Sequence, residues 1–489
     1  MMVELRRAAL AVALAVALGG CMIGPDYFRP KVDTPASFRY EEKEARNLAD
    51  TEWWKQFGDP VLDGLIAEAL ANNKSVQIAA ANVQAATAII TQTRSGLFPQ
   101  VGYSGTAGRQ RLSESNATPV PSTVPNPQDA YQALLGASWE LDLWGRIRRL
   151  TESARASALA TEEARRGAIL SLVASVATSY LQLRSLDYQL EIAKRTLDTY
   201  AESVRLFELQ FKYGQISLLT LEQAKSQYES ALAAIPQIER NIALTESAIS
   251  ILLGRNPGPV ARGKTLAELK FPGVPAGLPS QLLERRPDIA QAEQQLIAAN
   301  AQIGAAKAQY FPTISLTGVL GTASGQLSNL FSGPAKVWSY AGAFTGPIFT
   351  GGLVSGQVAQ AEAGQQAALL NYQLSIRNAF ADVDNALVAN QKLREQLDAQ
   401  IKLVAALQQY SDLARMQYDG GYTSYSTVLQ AEQALFPAEL NLASVRAQLF
   451  ASAVNIYKSM GGGWVSMADQ RTGGTPPSPP ASVLPPPLF

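Results

Sequence analysis

Between residues 172 and 211 apolar side chains recur mostly by alternate threes and fours: Leu172, Val176, Tyr180, Leu183, Leu186, Leu190, Ala193, Leu197, Tyr200, Val204, Phe207 and Phe211. The second half echoes it at Val383, Leu387, Leu393, Leu397, Ile401, Val404 and Leu407. Such a step marks a helix that buries one stripe against neighbouring helices. Residues 146–213 lack proline and hold one glycine, Gly167. As one helix they reach about 100 Å, at ~1.5 Å per residue. A helix of that length must pack sideways along its whole course. An isolated soluble coiled coil is the plainest source of these seams, and the segments between them speak against it.

Those segments alternate with a period of two. Leu135, Ala137, Trp139, Leu141 and Leu143 interleave with Gly136, Ser138, Glu140 and Asp142. Ile314, Leu316, Gly318 and Leu320 interleave with Ser315, Thr317 and Val319, and Trp338, Tyr340, Gly342 and Phe344 continue the period. A half-buried soluble sheet shows the same alternation. Strands of about ten residues also suit a tilted transmembrane wall with one greasy and one wet side. Tyr103, Tyr131, Trp139, Trp144, Trp338 and Tyr340 near the strand ends favour the wall. Four strands cannot close a barrel, for which about eight are the usual minimum. In lipid the strands must then be shared between protomers.

The chain repeats itself. Phe98-Pro99 returns as Phe311-Pro312, and Gly214, Ser217, Thr220 and Gln223-Ala224 return as Gly421, Ser424, Thr427 and Gln430-Ala431. Matched Gly and Pro residues in one register indicate tandem duplication. The expected plan has a first repeat over 61–254: a helix at about 61–96, strands at about 99–112 and 131–144, a long helix at 146–213 and a helix at 216–254. The second repeat covers 280–461: a helix at about 280–309, strands at about 312–323 and 337–349, a long helix at 353–420 and a helix at 424–460. Segments 21–60, 255–279 and 462–489 lie outside the repeats, the last ending in a proline-rich tail expected to be disordered. Pro236 and Pro437 fall inside the returning helices and are expected to kink them.

The N-terminus changes the compartment. Arg6-Arg7, the apolar run Ala8–Leu18 and Gly19-Gly20-Cys21 form a secretory signal over 1–20. The sole cysteine sits where a lipoprotein signal peptidase would cut, so Cys21 is the expected lipid attachment site, carrying palmitate among its acyl chains. Three chains exceed the two signals that stable anchoring needs. Met22 at the next position favours the outer membrane by resemblance to sorting rules.

Composition removes other classes. The chain has 489 residues, no histidine and one cysteine. An intrachain disulfide, a Cys/His zinc site and Ser-His-Asp or Cys-His catalysis are all excluded. With 41 basic and 41 acidic side chains there is no field to attract nucleic acid. No enzyme and no cofactor are expected.

Several motifs resemble one family. These are Cys21-Met-Ile-Gly-Pro-Asp-Tyr-Phe-Arg-Pro30, Trp53-Trp-Lys-Gln-Phe-Gly-Asp-Pro60, Leu-Leu-Glu-Arg-Arg-Pro-Asp-Ile at 282–289, Phe311-Pro312, and the glycine turns at 211–224 and 418–431. They resemble the TolC-like outer-membrane factors of tripartite efflux systems, in the NodT/OprM lipoprotein branch. The resemblance implies a mixed fold, all-α plus transmembrane β. It implies a homotrimer in which four strands per protomer close one 12-stranded barrel above a long periplasmic helical barrel. It also implies passive export of substrate, drugs included, delivered by a proton-driven pump of the resistance-nodulation-division type through a periplasmic adaptor, the membrane fusion protein. An exit duct for type I protein secretion keeps the same fold. A structural periplasmic lipoprotein with coiled-coil arms and no pore is the reading from another class.

By the same resemblance the adaptor docks on the hairpin tips, here Gly214, Gln215, Ser217, Gly421, Thr423 and Ser424, and the second hairpin constricts the pore. Relatives commonly place aspartates on that helix, where this chain has Thr427 and Gln430. Glu432 lies about 200° around the helix from Gln430 and cannot stand in for them. The expected gate is Tyr422, Tyr425, Thr427 and Gln430, closed by sterics and neutral hydrogen bonds. Ordinary interhelical packing is the alternative for each.

Overall fold

The computed structural model describes residues 22–32, 38, 52–113, 125–273 and 279–461. The signal at 1–20, Cys21 and the segment 462–489 lie outside the described residues. A 3-10 turn at Trp53–Phe57 leads into α1 (Pro60–Asn72) and α2 (Lys74–Ser95). Then come β1 (Gln100–Gln110), β2 (Gln128–Leu141), α3 (Arg146–Lys212) and α4 (Leu218–Leu252). The second half holds α5 (Pro279–Arg285), α6 (Pro287–Lys307), β3 (Thr313–Ser324), β4 (Lys336–Thr345), α7 (Leu353–Asp419) and α8 (Tyr425–Ser459). The duplication is visible in the lengths: α3 and α7 have 67 residues each, α4 and α8 have 35 each. Pro236 and Pro437 lie inside continuous α4 and α8.

Both opening helices differ from expectation. The helix expected over 61–96 breaks at Asn73, which takes an extended backbone. Its Oδ1 accepts from the Val76 amide at 3.1 Å, while its Nδ2 donates to the Leu252 carbonyl at 2.8 Å. A cap that also ties down a distant helix outweighs continuity. The helix expected over 280–309 breaks before Pro287, whose ring disfavours a helical residue ahead of it.

The chain forms two compact units, divided near residues 31, 82, 161, 291 and 372. In one, the four strands form an antiparallel sheet of order β1-β2-β3-β4. Each half supplies a hairpin, and the β2–β3 pairing joins them, with Ala137 opposite Gly318. In the other unit, α1, α3, α4 and α8 surround a core containing Trp53, Phe57, Ile66, Val173, Tyr180 and Val454. Trp53 stacks on Tyr457 with centroids 5.3 Å apart. One stretch of α3 is long and apolar enough to cross a bilayer, but 72% of it is buried inside the protein. It is a packing seam.

Two buried charged groups organise this second unit. Asp59 is fully buried; its carboxylate accepts from the Val61 amide at 2.9 Å, the Tyr180 hydroxyl at 2.7 Å and the Lys264 amide at 3.1 Å. Gly263 is required beside it, because a Cβ there would lie 2.1 Å from an Asp59 oxygen. Arg286, also buried, donates to Asp288 and Asp382 and to the carbonyls of Ala379 and Ser459. The guanidinium fork thereby joins α6, α7 and the end of α8.

Candidate functional site

The sheet separates its side chains by face. The pairing Tyr103–Leu135–Leu320–Trp338 runs across all four strands, and its neighbour Val101–Ala137–Gly318–Tyr340 lies on the same side. Trp139, Leu316, Ile314 and Phe344 share that face by the two-residue period. The opposite face carries Gly102, Ser104, Thr106, Gly136, Ser138, Ser315, Thr317, Ser339 and Ala341. Among the described strand residues Glu140 is the one charged side chain there. It is held by Arg146, whose Nη2 lies 2.9 Å from both carboxylate oxygens. Large apolar groups, including Tyr103, Leu320, Trp338, Tyr340 and Phe344, are exposed. The greasy face carries charge only at its far end, at Arg109, Asp129 and Lys336, and the other face is mostly small or hydroxyl-bearing, with Leu134, Val319 and Val337 among it. Among the described residues the outer edges of β1 and β4 are unpaired, which suits a membrane wall completed by other strands.

At the foot of the sheet, Trp144 stacks on Phe311 with centroids 4.8 Å apart, and its indole Nε1 donates to the Pro312 carbonyl at 2.7 Å. An aromatic with its polar edge satisfied is typical of a membrane boundary.

The hairpin tips are built alike. Gly214 and Gly421 take φ of 71° and 74°, conformations that need glycine. The next amides reach back, Gln215 to the Gln210 carbonyl and Tyr422 to the Gln417 carbonyl, both at 2.8 Å. Ser217 accepts from the Thr220 amide and caps α4. In the second tip the Thr423 and Thr427 hydroxyls bond each other at 2.8 Å, and Ser424 bonds Ser426.

The four expected gate residues take different places. Tyr422 is 87% exposed, and Gln430 is exposed on the same helix face as the half-buried Thr427. Tyr425 is 6% exposed and packs edge-on against Phe207 at 4.6 Å and Tyr418 at 5.5 Å. This aromatic cluster joins the two hairpins. Tyr213, Leu218 and Leu219 project beside Gly214, and Met416 and Tyr422 beside Gly421, all exposed. Tyr422 is among the residues expected from sequence; Tyr213, Leu218, Leu219 and Met416 are not, because exposed apolar side chains beside a turn stand outside the periodic buried stripe.

Glu432, about 200° around the helix from Gln430, occupies a place of its own. It is 7% exposed on α8. Arg415 of α7 lies 3.7 Å from Oε1 and also donates to the Ser203 hydroxyl of α3 at 2.9 Å. Oε2 has no hydrogen-bond partner. Burial pushes the Glu432 carboxyl above the ordinary glutamate range, and Arg415 offsets this only in part. Tyr200 of α3 and Tyr425 of α8 face the same site, and burial followed by the Glu432 charge raises both phenols. Glu439, raised by its own burial, lies further along α8. The native state holds the Glu432 proton more tightly than the unfolded chain does. Stability therefore falls as pH rises from the ordinary glutamate range through the raised value. Melting curves between about pH 5 and pH 8 should show that slope reduced in Glu432→Gln, which should also be the more stable protein at neutral pH. An unchanged slope would show that Glu432 does not titrate there.

Comparisons with known proteins agree with this geometry. The family model "Outer membrane efflux protein" matches twice, over residues 65–255 and 278–462, once per repeat. The chain is 37% identical over 464 residues to the probable efflux pump outer membrane protein TtgC of Pseudomonas putida, covering 93% of this chain and 95% of that one. It is 36% identical over 460 residues to the cation efflux system protein CusC of Escherichia coli K12, covering 93% and 99%. The crystal structure of the Campylobacter jejuni CmeC outer membrane channel superposes with a TM-score of 0.85 at 25% identity, covering 93% and 99%. The wall-like sheet, the paired repeats and these likenesses lead to one conclusion: the chain belongs to the outer membrane efflux protein family and is a TolC-like channel of the Gram-negative outer membrane.

Proposed function

We propose that the chain is the exit duct of a tripartite efflux system, a homotrimer that passively conducts substrate handed over by an inner-membrane pump and a periplasmic adaptor. One observation carries this reading: an amphipathic four-stranded sheet whose two outer edges are unpaired among the described residues. Three copies would supply twelve strands, enough to close a barrel around the small-residue face. The apolar residues left exposed on α7, among them Ile401, Leu403 and Leu413, would be covered by neighbouring copies. A proton-driven pump of the resistance-nodulation-division type fits the family branch. Deleting the gene and measuring cellular retention of a compound panel tests the role. Native mass measurement and planar-bilayer recording test the trimer and its pore. A monomeric, non-conducting protein would overturn the reading.

Cys21 would carry the lipid that anchors the mature N-terminus. The tips around Gly214, Gln215, Ser217, Gly421, Thr423 and Ser424, with their exposed apolar neighbours, would receive the adaptor. Tyr422, Thr427 and Gln430 would narrow the entrance, with Tyr425 bracing the helix from behind. A neutral ring lacks the carboxylates that concentrate cations. Single-channel recordings of the parent should therefore show little divalent-cation block in the micromolar range. Gln430→Asp should create that block. Strong block in the parent would remove the neutral gate.

A further inference from the structure

The segment Met22–Pro30, which follows the expected lipid site, lies in a groove built for it. At its start, the Ile23 amide donates to the Trp144 carbonyl at 3.2 Å. Arg149, 2% exposed on the first turn of α3, donates to the carbonyls of Ile23 and Gly24 and to the Asp26 carboxylate, while Glu152 holds its other nitrogen. Further along, Asn300 donates to the Pro25 carbonyl, and Glu293 receives the Tyr27 hydroxyl and the Arg29 guanidinium.

Three glycines make the close approach possible. A Cβ on Gly24, whose φ is 101°, would lie 2.4 Å from the Gly304 Cα. One on Gly304 would lie 2.5 Å from the Ile23 carbonyl oxygen, and one on Gly145 would lie 3.0 Å from the Met22 Cα. Backbone meets backbone at each, so no flexible side chain can yield. Gly304, Asn300 and Glu293 lie along α6, and the segment descends it over about 17 Å, at ~1.5 Å per residue. Its upper end stands at the foot of the sheet, beside the Trp144–Phe311 pair.

We propose that this groove is a depth stop for the lipid anchor, with Arg149 as its positioning residue. The seat fixes Met22 at the foot of the greasy sheet face, so the acyl chains on the preceding Cys21 enter the periplasmic leaflet at one level relative to the wall. The anchor then works as a rigid part of the membrane-facing surface, where an unseated segment would be a loose tether. This rests on the lipidation of Cys21 and on the sheet being the membrane wall.

The test uses the full-length lipidated protein in vesicles. Phe28, largely exposed six residues below Met22, is replaced by cysteine and labelled with a fluorophore. Quenching is then read from a lipid that carries the quencher at its headgroup. In the parent the label is held down α6, away from the bilayer, and quenching is low. Arg149→Met and Gly304→Val each release the segment by different chemistry, one removing the donors and the other filling the groove. Both should raise quenching at least twofold while palmitate incorporation and trimer heat stability stay unchanged. Arg149→Lys, which keeps a cation near Asp26, should fall between. Unchanged quenching in both variants, or quenching already high in the parent, overturns the stop. Absence of palmitate from the parent overturns the anchor, and the quenching then still reports whether the segment is seated.

Discussion

Leu320→Arg is expected to prevent the channel from assembling in the outer membrane, whereas Thr317→Arg, three residues away on the same strand, should assemble. Leu320 lies between Leu135 and Trp338 on the greasy face, and Thr317 between Ser138 and Ala341 on the other. An arginine facing lipid near the bilayer midplane costs about 2–4 kcal/mol, falling towards zero at the interfaces. A trimer repeats that cost three times, a total comparable with the whole stability of a typical domain, about 5–15 kcal/mol. On the opposite face the guanidinium stays hydrated, and its effect is on ion selectivity. Heat-modifiable trimer on gels reads the first variant, and reversal potential under a salt gradient reads the second. Equal assembly of both proteins would contradict the assignment of the two faces.

Asp59→Ala should be the most destabilising single change in the helical unit. It removes the acceptor for three donors at once, from Val61, Tyr180 and Lys264. Each buried donor left without a partner costs about 1–3 kcal/mol, so the loss approaches the marginal stability of a domain. Tyr180→Phe should cost less. It removes one donor to Asp59 and one acceptor for the Gly263 amide. The checks are melting temperature and the amount of protein recovered from membranes. A shift for Asp59→Ala no larger than that of Tyr180→Phe would show that the Asp59 carboxylate is not the hub of this junction.

Much of the architecture was legible because it rests on periodicity. The three-four stripe from Leu172 to Phe211 places buried residues such as Val176, Tyr180 and Leu183 in the core of α3. The alternation from Leu135 to Leu141 predicts which side chains share a face of β2. Matched glycines mark both hairpin turns, because the left-handed conformation at Gly214 and Gly421 is open to few other residues.

What the sequence did not reveal depends on partners far apart along the chain. Asp59 and Arg286 stand in recognisable motifs, yet nothing local says that Asp59 meets Tyr180 or that Arg286 meets Asp382. Helical geometry correctly kept Glu432 apart from Gln430. Its burial beside Arg415 and Tyr200 required the packing of three helices. Tyr425 looked like a candidate for the pore entrance, and its ring instead fills the space between Phe207 and Tyr418.

By itself, then, the sequence determined most of the elements, their duplication and the two faces of each strand. The elements and the strand faces follow from short-range rules, a period of two or 3.6 and a glycine's freedom at φ > 0, and the duplication from matched residues in one register. Only the tertiary structure decided which polar groups are buried together, where the glycine-lined seat for the N-terminal segment lies, and which tip side chains stay free. Those outcomes depend on desolvation and close packing between residues hundreds of positions apart, and no local pattern encodes that.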